Sequence, residues 1–328
     1  MMPDHPEVSV VICTYNRPTL LLQAVNSFLW HSTGQIKFEL IVVDNNSTEE
    51  TRALVDGMAR RDTRIRYLRE QRQGNAYARN TGVLHARAPI VAFLDDDVAV
   101  KGNWLETIKN TFSQSNADFI GGKVLPHWEQ RPPHWLTHRH WAPIAAVDYG
   151  EEPVSITSNN PLCLLTANIA FKRSVFERHG GFSADVQRER DRIGSLEDHE
   201  FLMRLLRAGS SGLYVPNLVV EAHVGQERMT KAYHRRWHTG HGHFYAVMRD
   251  PDWERSQLRL MGVPGHLYRQ TATHAIIWFS RILRGHPDAA FAHECQLRFF
   301  GGFFRERQRQ RAVGNESSKI TYGQLDRK

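Results

Sequence analysis

Ile90-Val91-Ala92-Phe93-Leu94 runs straight into Asp95-Asp96-Asp97. Five apolar residues in a row read as a strand buried on both faces. Three carboxylates closing that strand lie at the carboxyl edge of a sheet, where open α/β folds bind their ligands. Side by side, three like charges repel unless a cation sits among them. A hard divalent ion with oxygen ligands meets that need, and such ions commonly carry a substrate's phosphates. The stretch therefore predicts a metal–diphosphate site on the rim of an α/β sheet.

Working outward, the same pattern recurs. Val8 to Ile12 is a β-branched strand, and Pro18 opens a helix with Leu21, Leu22, Val25, Phe28 and Leu29 on one face. Phe38 to Val43 predicts a second strand ending in Asp44-Asn45-Asn46-Ser47, and Thr51 to Ala59 a helix. Ile65 to Leu68 follows as a short strand and Gly74 to Ala86 as a helix. Alternating strands and helices predict a mostly parallel sheet covered on both faces. After Asn116 the pattern breaks. Leu125 to Pro143, with four prolines, reads as an irregular flap rich in His and Trp. Cys163 to Phe171 predicts a strand, Leu196 to Ala208 a helix stopped by Gly209, and Tyr214 to Val220 one or two short strands. Beyond residue 225 the chain reads as helices and loops rich in Arg and His. Two units are expected, residues 1–225 and a basic, mostly helical extension at 226–328.

The 328 residues are 41% hydrophobic and 23% charged, enough for a sizeable core. The net charge of +7 is uneven: residues 226–328 carry +9 and residues 1–225 carry −2. A nucleic-acid reading would rest on the extension alone. Three scattered cysteines without a CxxC argue against a disulfide framework and for a reducing compartment. Residues 1–8 lack an apolar signal core, and no stretch reaches the length of a membrane span. The expected location is the cytoplasm, peripheral on the inner face of the cell membrane.

Val8-Ser9-Val10-Val11-Ile12-Cys13-Thr14-Tyr15-Asn16-Arg17 resembles the opening of family 2 glycosyltransferases, which have the GT-A fold. Val42 to Ser47 is similar to their second-strand motif, and Gly74-Asn75, Arg79-Asn80 and Gly82 to the helix after it. Asp95-Asp96-Asp97 resembles their DxD metal motif. Thr166-Ala167-Asn168, Gly180-Gly181-Phe182, and Glu197-Asp198 with Phe201 and Arg204 are similar to the later blocks. The resemblance runs from Val8 to Val224. It implies an inverting enzyme using Mn²⁺ or Mg²⁺ and a nucleotide-diphosphate sugar, UDP being the commonest carrier. It places Thr14, Tyr15 and Arg17 at the base pocket, Asp44 on the base and Arg79 near the nucleotide. Asp95 falls on the ribose and Asp97 on the metal. Asp96 fits either part, because the middle position is itself Asp. Asp198, beside Glu197 in the donor site, is the implied base, and His223 a metal or diphosphate contact. Arg228, Arg235, Arg236 and Trp237 could close over the diphosphate.

Such a fold implies a glycan or lipid-linked acceptor, and the basic segment 289–311, with Leu297, Phe300 and Phe304 on one face, suits an anionic membrane surface. Two rivals remain. A Mg²⁺-dependent nucleotidyltransferase would want a glycine-rich phosphate loop after the first strand, where Thr14-Tyr15-Asn16-Arg17 stands. A noncatalytic nucleic-acid-binding protein gives no reason for the three aspartates.

Overall fold

A computed structural model describes residues 5–312 except Thr33, residues 188–192 and Gln257; residues 1–4 and 313–328 of the two expected units lie outside the described residues. In chain order, β1 (Val8–Thr14), α1 (Pro18–Trp30), β2 (Phe38–Asp44), α2 (Glu49–Arg61), β3 (Ile65–Arg69), α3 (Asn75–His85) and β4 (Ile90–Asp95) form the first half. Then come β5 (Val98–Lys101), α4 (Trp104–Gln114), β6 (Phe119–Trp128), β7 (Val154–Ile156), β8 (Asn168–Lys172) and α5 (Arg173–His179). Next are α6 (Glu197–Arg207) and β9 (Gly212–Val224), and the extension contributes α7 (Lys231–Met248), α8 (Gly265–Leu283) and α9 (Pro287–Ala312). The sheet order is β3-β2-β1-β4-β8-β6-β9-β5, with β7 also on β9. Strands β3, β2, β1 and β4 are parallel, and β6 is parallel to β9; β8, β5 and β7 pair antiparallel.

Side-chain alternation along β1 splits the core into two layers. Val8, Val10 and Ile12 pack under Leu21, Val25 and Phe28 of α1, while Val11 faces Ala78 and Val83 of α3. Helix α3 lies close on β1 because Gly82 has no side chain; a Cβ there would collide with Val11.

Beyond β4, Asn168 joins the pieces. It is buried, its amide N–H groups donate to the carbonyls of Lys123 and Leu218 at 2.8 Å, and its carbonyl accepts from Trp104 at 2.8 Å. It fills the register shift between Gly122 and Lys123 opposite the Pro216 region of β9. Proline cannot donate to a ladder, so the bulge sits where it does least harm. The expected short strands at Tyr214 to Val220 are thus one bulged 13-residue strand. Strand β6 runs to Trp128, so the flap begins after it, and Cys163 to Thr166 is irregular, the strand starting only at Asn168.

The extension packs on itself and on the sheet domain. Ala246 of α7, Leu267 of α8 and Phe299, Phe300 and Phe303 of α9 share one core, while Phe244 and Met248 pack on Val186 and Leu196. The segment 289–311 therefore turns its expected membrane face inward. Phe291 and Phe300 are buried, Arg307 is 2% exposed and paired with Glu254, and Arg309 pairs with Glu306 at 2.7 Å. Helical periodicity reveals an apolar stripe but not what covers it, and here α7 and α8 cover it.

Helix α7 brings a run of histidines to this interface. His234 is fully buried, its Nε2 lies 3.1 Å from the Arg228 carbonyl, and its ring meets Trp135 edge-on at 4.9 Å. Burial, reinforced by His238, lowers His234 to about 4; burial and His140 lower His238 to about 4. Both stay neutral at pH 7. A histidine depressed by folding adds stability above its unfolded pKa near 6.5, lost as pH falls toward the folded value. For His234 the expected loss between pH 7 and pH 5 is about 2 kcal/mol. Urea denaturation at the two pH values checks it, and His234→Gln should flatten the dependence; equal stabilities at both would contradict the burial argument.

Candidate active site

The parallel register puts three polar strand ends abreast: Thr14 beside Asp44, and Cys13 beside Asp95. The Thr14 hydroxyl donates to Asp96 Oδ2 at 2.7 Å. Arg17 bridges the triplet, its Nη1 lying 3.3 Å from Asp96 Oδ1 and 3.2 Å from Asp97 Oδ2. Asn16 adopts a left-handed φ of 53° and laces the two loops, donating its N–H to Ser47 Oγ and accepting from the Thr48 N–H. Tyr15 stands 48% exposed beside it, open to a ligand. Asp44 is buried, and its oxygens already accept from the Ser47 N–H and the Tyr67 hydroxyl, both at 2.7 Å. A base would therefore meet Asp44 at a remaining lone pair.

The second half of the site arrives through Arg79. This side chain is 7% exposed, rests near the Phe182 ring, and reaches three carboxylates. Its Nη1 donates to Glu197 Oε1 at 2.7 Å and to Asp198 Oδ1 at 3.1 Å, and its Nη2 lies 3.7 Å from Asp95 Oδ1. Asp198 Oδ2 accepts from both the N–H and the hydroxyl of Thr166, at 3.1 and 2.9 Å. Asp198 sits in the first turn of α6, where the helix dipole favours an anion. Its side chain keeps 21% exposure, whereas Glu197 keeps 2% and holds Arg79 from below. Glu197 Oε2 has no partner among the described residues.

Carboxylates so crowded resist ionisation. Burial, then Asp97, raises Asp96 to about 6, against the pull of Arg17 and Thr14. Burial and the neighbouring carboxylates raise Asp95 also, opposed by Arg79. The cluster carries more negative charge than Arg17 and Arg79 neutralise, and its donors are hard oxygens, so it fits a divalent cation. Among the described residues no three acidic, His or Cys side chains stand preassembled around one point. His223 reaches the triplet through its backbone, its N–H donating to the Asp97 carbonyl at 2.8 Å from the strand that pairs with β5. Arg228 Nη1 lies 3.9 Å from Asp97 Oδ2, and its Nε has no partner among the described residues. Arg235 is instead tied to Glu294 of α9 at 2.6 and 3.0 Å, and Trp237 stacks on His241.

Sequence reasoning left two members out of the site. Thr166 lies in a block noted there only as a motif, and its contact with Asp198 spans 32 residues. Tyr67 closes on Asp44 from β3; a tyrosine among the apolar residues of a strand was the available signal.

A family model described as glycosyl transferase family 2 matches residues 9–180, just over half of the chain. The chain belongs to glycosyl transferase family 2. Among curated relatives of this family 2 chain, the glucosyl-dolichyl phosphate glucuronosyltransferase of Haloferax volcanii is 27% identical over 191 residues, covering 57% of the chain and 59% of that protein. The match thus spans less than two thirds of this relative. In the solved structures, Staphylococcus aureus TarS 1–349 in complex with UDP superposes with a TM-score of 0.53 at 16% identity, covering 94% of the chain and 92% of TarS 1–349. GalNAc-T7 with UDP, GalNAc and Mn²⁺ gives a TM-score of 0.51 at 19% identity, covering 75% and 51%. These likenesses confirm the GT-A fold that the resemblance implied, and the mostly parallel sheet expected from the strand pattern.

Proposed function

We propose that this family 2 chain is an inverting, metal-dependent glycosyltransferase that moves a sugar from a nucleoside diphosphate to a glycan or lipid-linked acceptor. The observation that carries the reading is Arg79, one buried guanidinium shared by Asp95 of the acidic triplet and Asp198 of α6. It sets the donor carboxylates and a partly exposed carboxylate on either side of one guanidinium. Support for the donor comes from the TarS and GalNAc-T7 structures, both with UDP, and for a lipid-linked acceptor from the dolichyl phosphate named for the Haloferax relative.

In this reading Tyr15 and Arg17 line the base pocket with Thr14, Asp44 accepts from the base and Asp95 faces the ribose. Asp96, buried and gripped by Thr14 and Arg17, fixes the pocket, and the more exposed Asp97, which shares Arg17, would with His223 hold Mn²⁺ or Mg²⁺. A cation held there would supply Lewis-acid neutralisation of the charge on the departing diphosphate. The acceptor oxygen attacks the anomeric carbon as the bond to the diphosphate oxygen breaks, and Asp198 takes the acceptor's proton. Thr166 and Arg79 aim the Asp198 carboxylate, and a single displacement inverts the anomeric centre. Residues 1–225 are read as the transfer unit and 226–328 as its extension, whose helix α7 packs on Val186 and Leu196, the whole acting at the inner face of the cell membrane.

Asp97→Ala should lower Mn²⁺-dependent turnover of a UDP-sugar by at least about 100-fold. Thermal unfolding should be little changed, because Asp97 makes only partly exposed contacts. Undiminished turnover in this variant refutes the metal assignment.

A further inference from the structure

Seven of the twelve exposed large hydrophobic side chains among the described residues fall between Leu258 and Leu283. Helix α8 presents Ile276 (70% exposed), Phe279 (57%) and Leu283 (70%) at helical spacing, continuing a line through Ala272; Tyr268, one turn earlier, stacks on Phe304 of α9. Its opposite face is taken: Leu267 is buried, and His274 meets His293 and Phe300 of α9. The Tyr268 hydroxyl donates to the Leu260 carbonyl, so the hairpin carrying Leu258, Leu260 and Met261 adjoins the start of the same line. A soluble surface rarely leaves so many large apolar side chains together without a partner.

Charge indicates which partner. Residues 255–287 contain five arginines and no aspartate or glutamate. Arg269, Arg281 and Arg284 are exposed and form no ion pair among the described residues. An apolar stripe bordered by unpaired arginines matches an anionic lipid surface, into which the stripe inserts while the guanidinium groups meet the headgroups. A second copy fits poorly, because a two-fold contact through this face sets arginines against arginines. Among the described residues no helix is long and apolar enough to cross a membrane, so the contact lies along the surface. We propose that α8 and its hairpin dock the protein on an anionic bilayer, in place of the segment 289–311, whose apolar face is spent inside the extension. The inference depends on neither the donor nor the chemistry of transfer.

The experiment uses the full chain and sedimentation with vesicles of phosphatidylcholine alone or with 30% phosphatidylglycerol, the lipid mixture being a choice of probe at roughly the anionic content that gives a strong surface potential. Binding is expected only to the anionic vesicles, and to weaken with salt. Ile276→Glu/Phe279→Glu should lower it by at least about tenfold. Arg281→Gln/Arg284→Gln should lower it about fivefold per charge. Unchanged thermal unfolding confirms that each variant is folded. Should the glutamate pair unfold the chain, the arginine pair decides alone. Equal binding by the wild type and the arginine pair overturns the proposal, as does failure of the wild type to bind. A wild-type dimer by light scattering that the glutamate pair dissociates, without vesicle binding, overturns it in favour of self-association.

Discussion

Asp198→Asn should fold, bind its donor, and turn it over about 10²–10⁴ times more slowly. The amide preserves size and an oxygen for Thr166, so the first turn of α6 keeps its shape. What it loses is the capacity to accept a proton from the attacking hydroxyl. Glu197 still anchors Arg79, at 2.7 Å, so the acidic triplet stays in place. Calorimetry with a UDP-sugar and Mn²⁺ should give an affinity within a few-fold of the wild type, while product formation collapses. Turnover within a few-fold of the wild type would remove Asp198 as the base.

Arg79→Met should be the most destabilising single change in the site, by about 3–5 kcal/mol. Methionine fills the volume beside Phe182 but leaves Glu197, 2% exposed, with no cation and with Asp198 and Asp95 nearby. Desolvated charge without a partner is the costly half of a buried ion pair. Adding Glu197→Gln should recover part of the loss, and the double-mutant cycle in urea should yield a coupling of roughly 1–3 kcal/mol. A loss below about 1 kcal/mol would mean that water reaches these carboxylates and that burial is not what organises them.

The strand ends were legible in the sequence because apolar runs stop at polar residues: Thr14, Asp44 and Asp95 all stand where such a run predicts them. Arg79 was legible as a member of the site but not as its link, because its partners are 118 and 119 residues away. Glu197 shows the limit from the other side. Sequence gives its charge and its place next to Asp198, not its burial, and its contact is with Arg79. Cys163-Leu164-Leu165 looked like strand because it is apolar, yet the chain there bends to aim Thr166 at Asp198. The prolines at 126 and 216 hid the length of β6 and β9, since a bulge plugged by Asn168 cannot be inferred from either strand alone. In α9 the apolar period was right and the neighbour unknowable, whereas the apolar run Ala275 to Leu283 of α8 was legible only as a membrane span too short and broken by Arg281, not as one exposed helix face.

One guanidinium that clasps both halves of the site behaves like the keystone of an arch. Segments hung outside it, 129–165 and the three closing helices, are then the natural place to swap pieces between relatives when a different acceptor is wanted. Chimaeras that leave α3 untouched should keep the ability to split an activated sugar whatever they deliver it to.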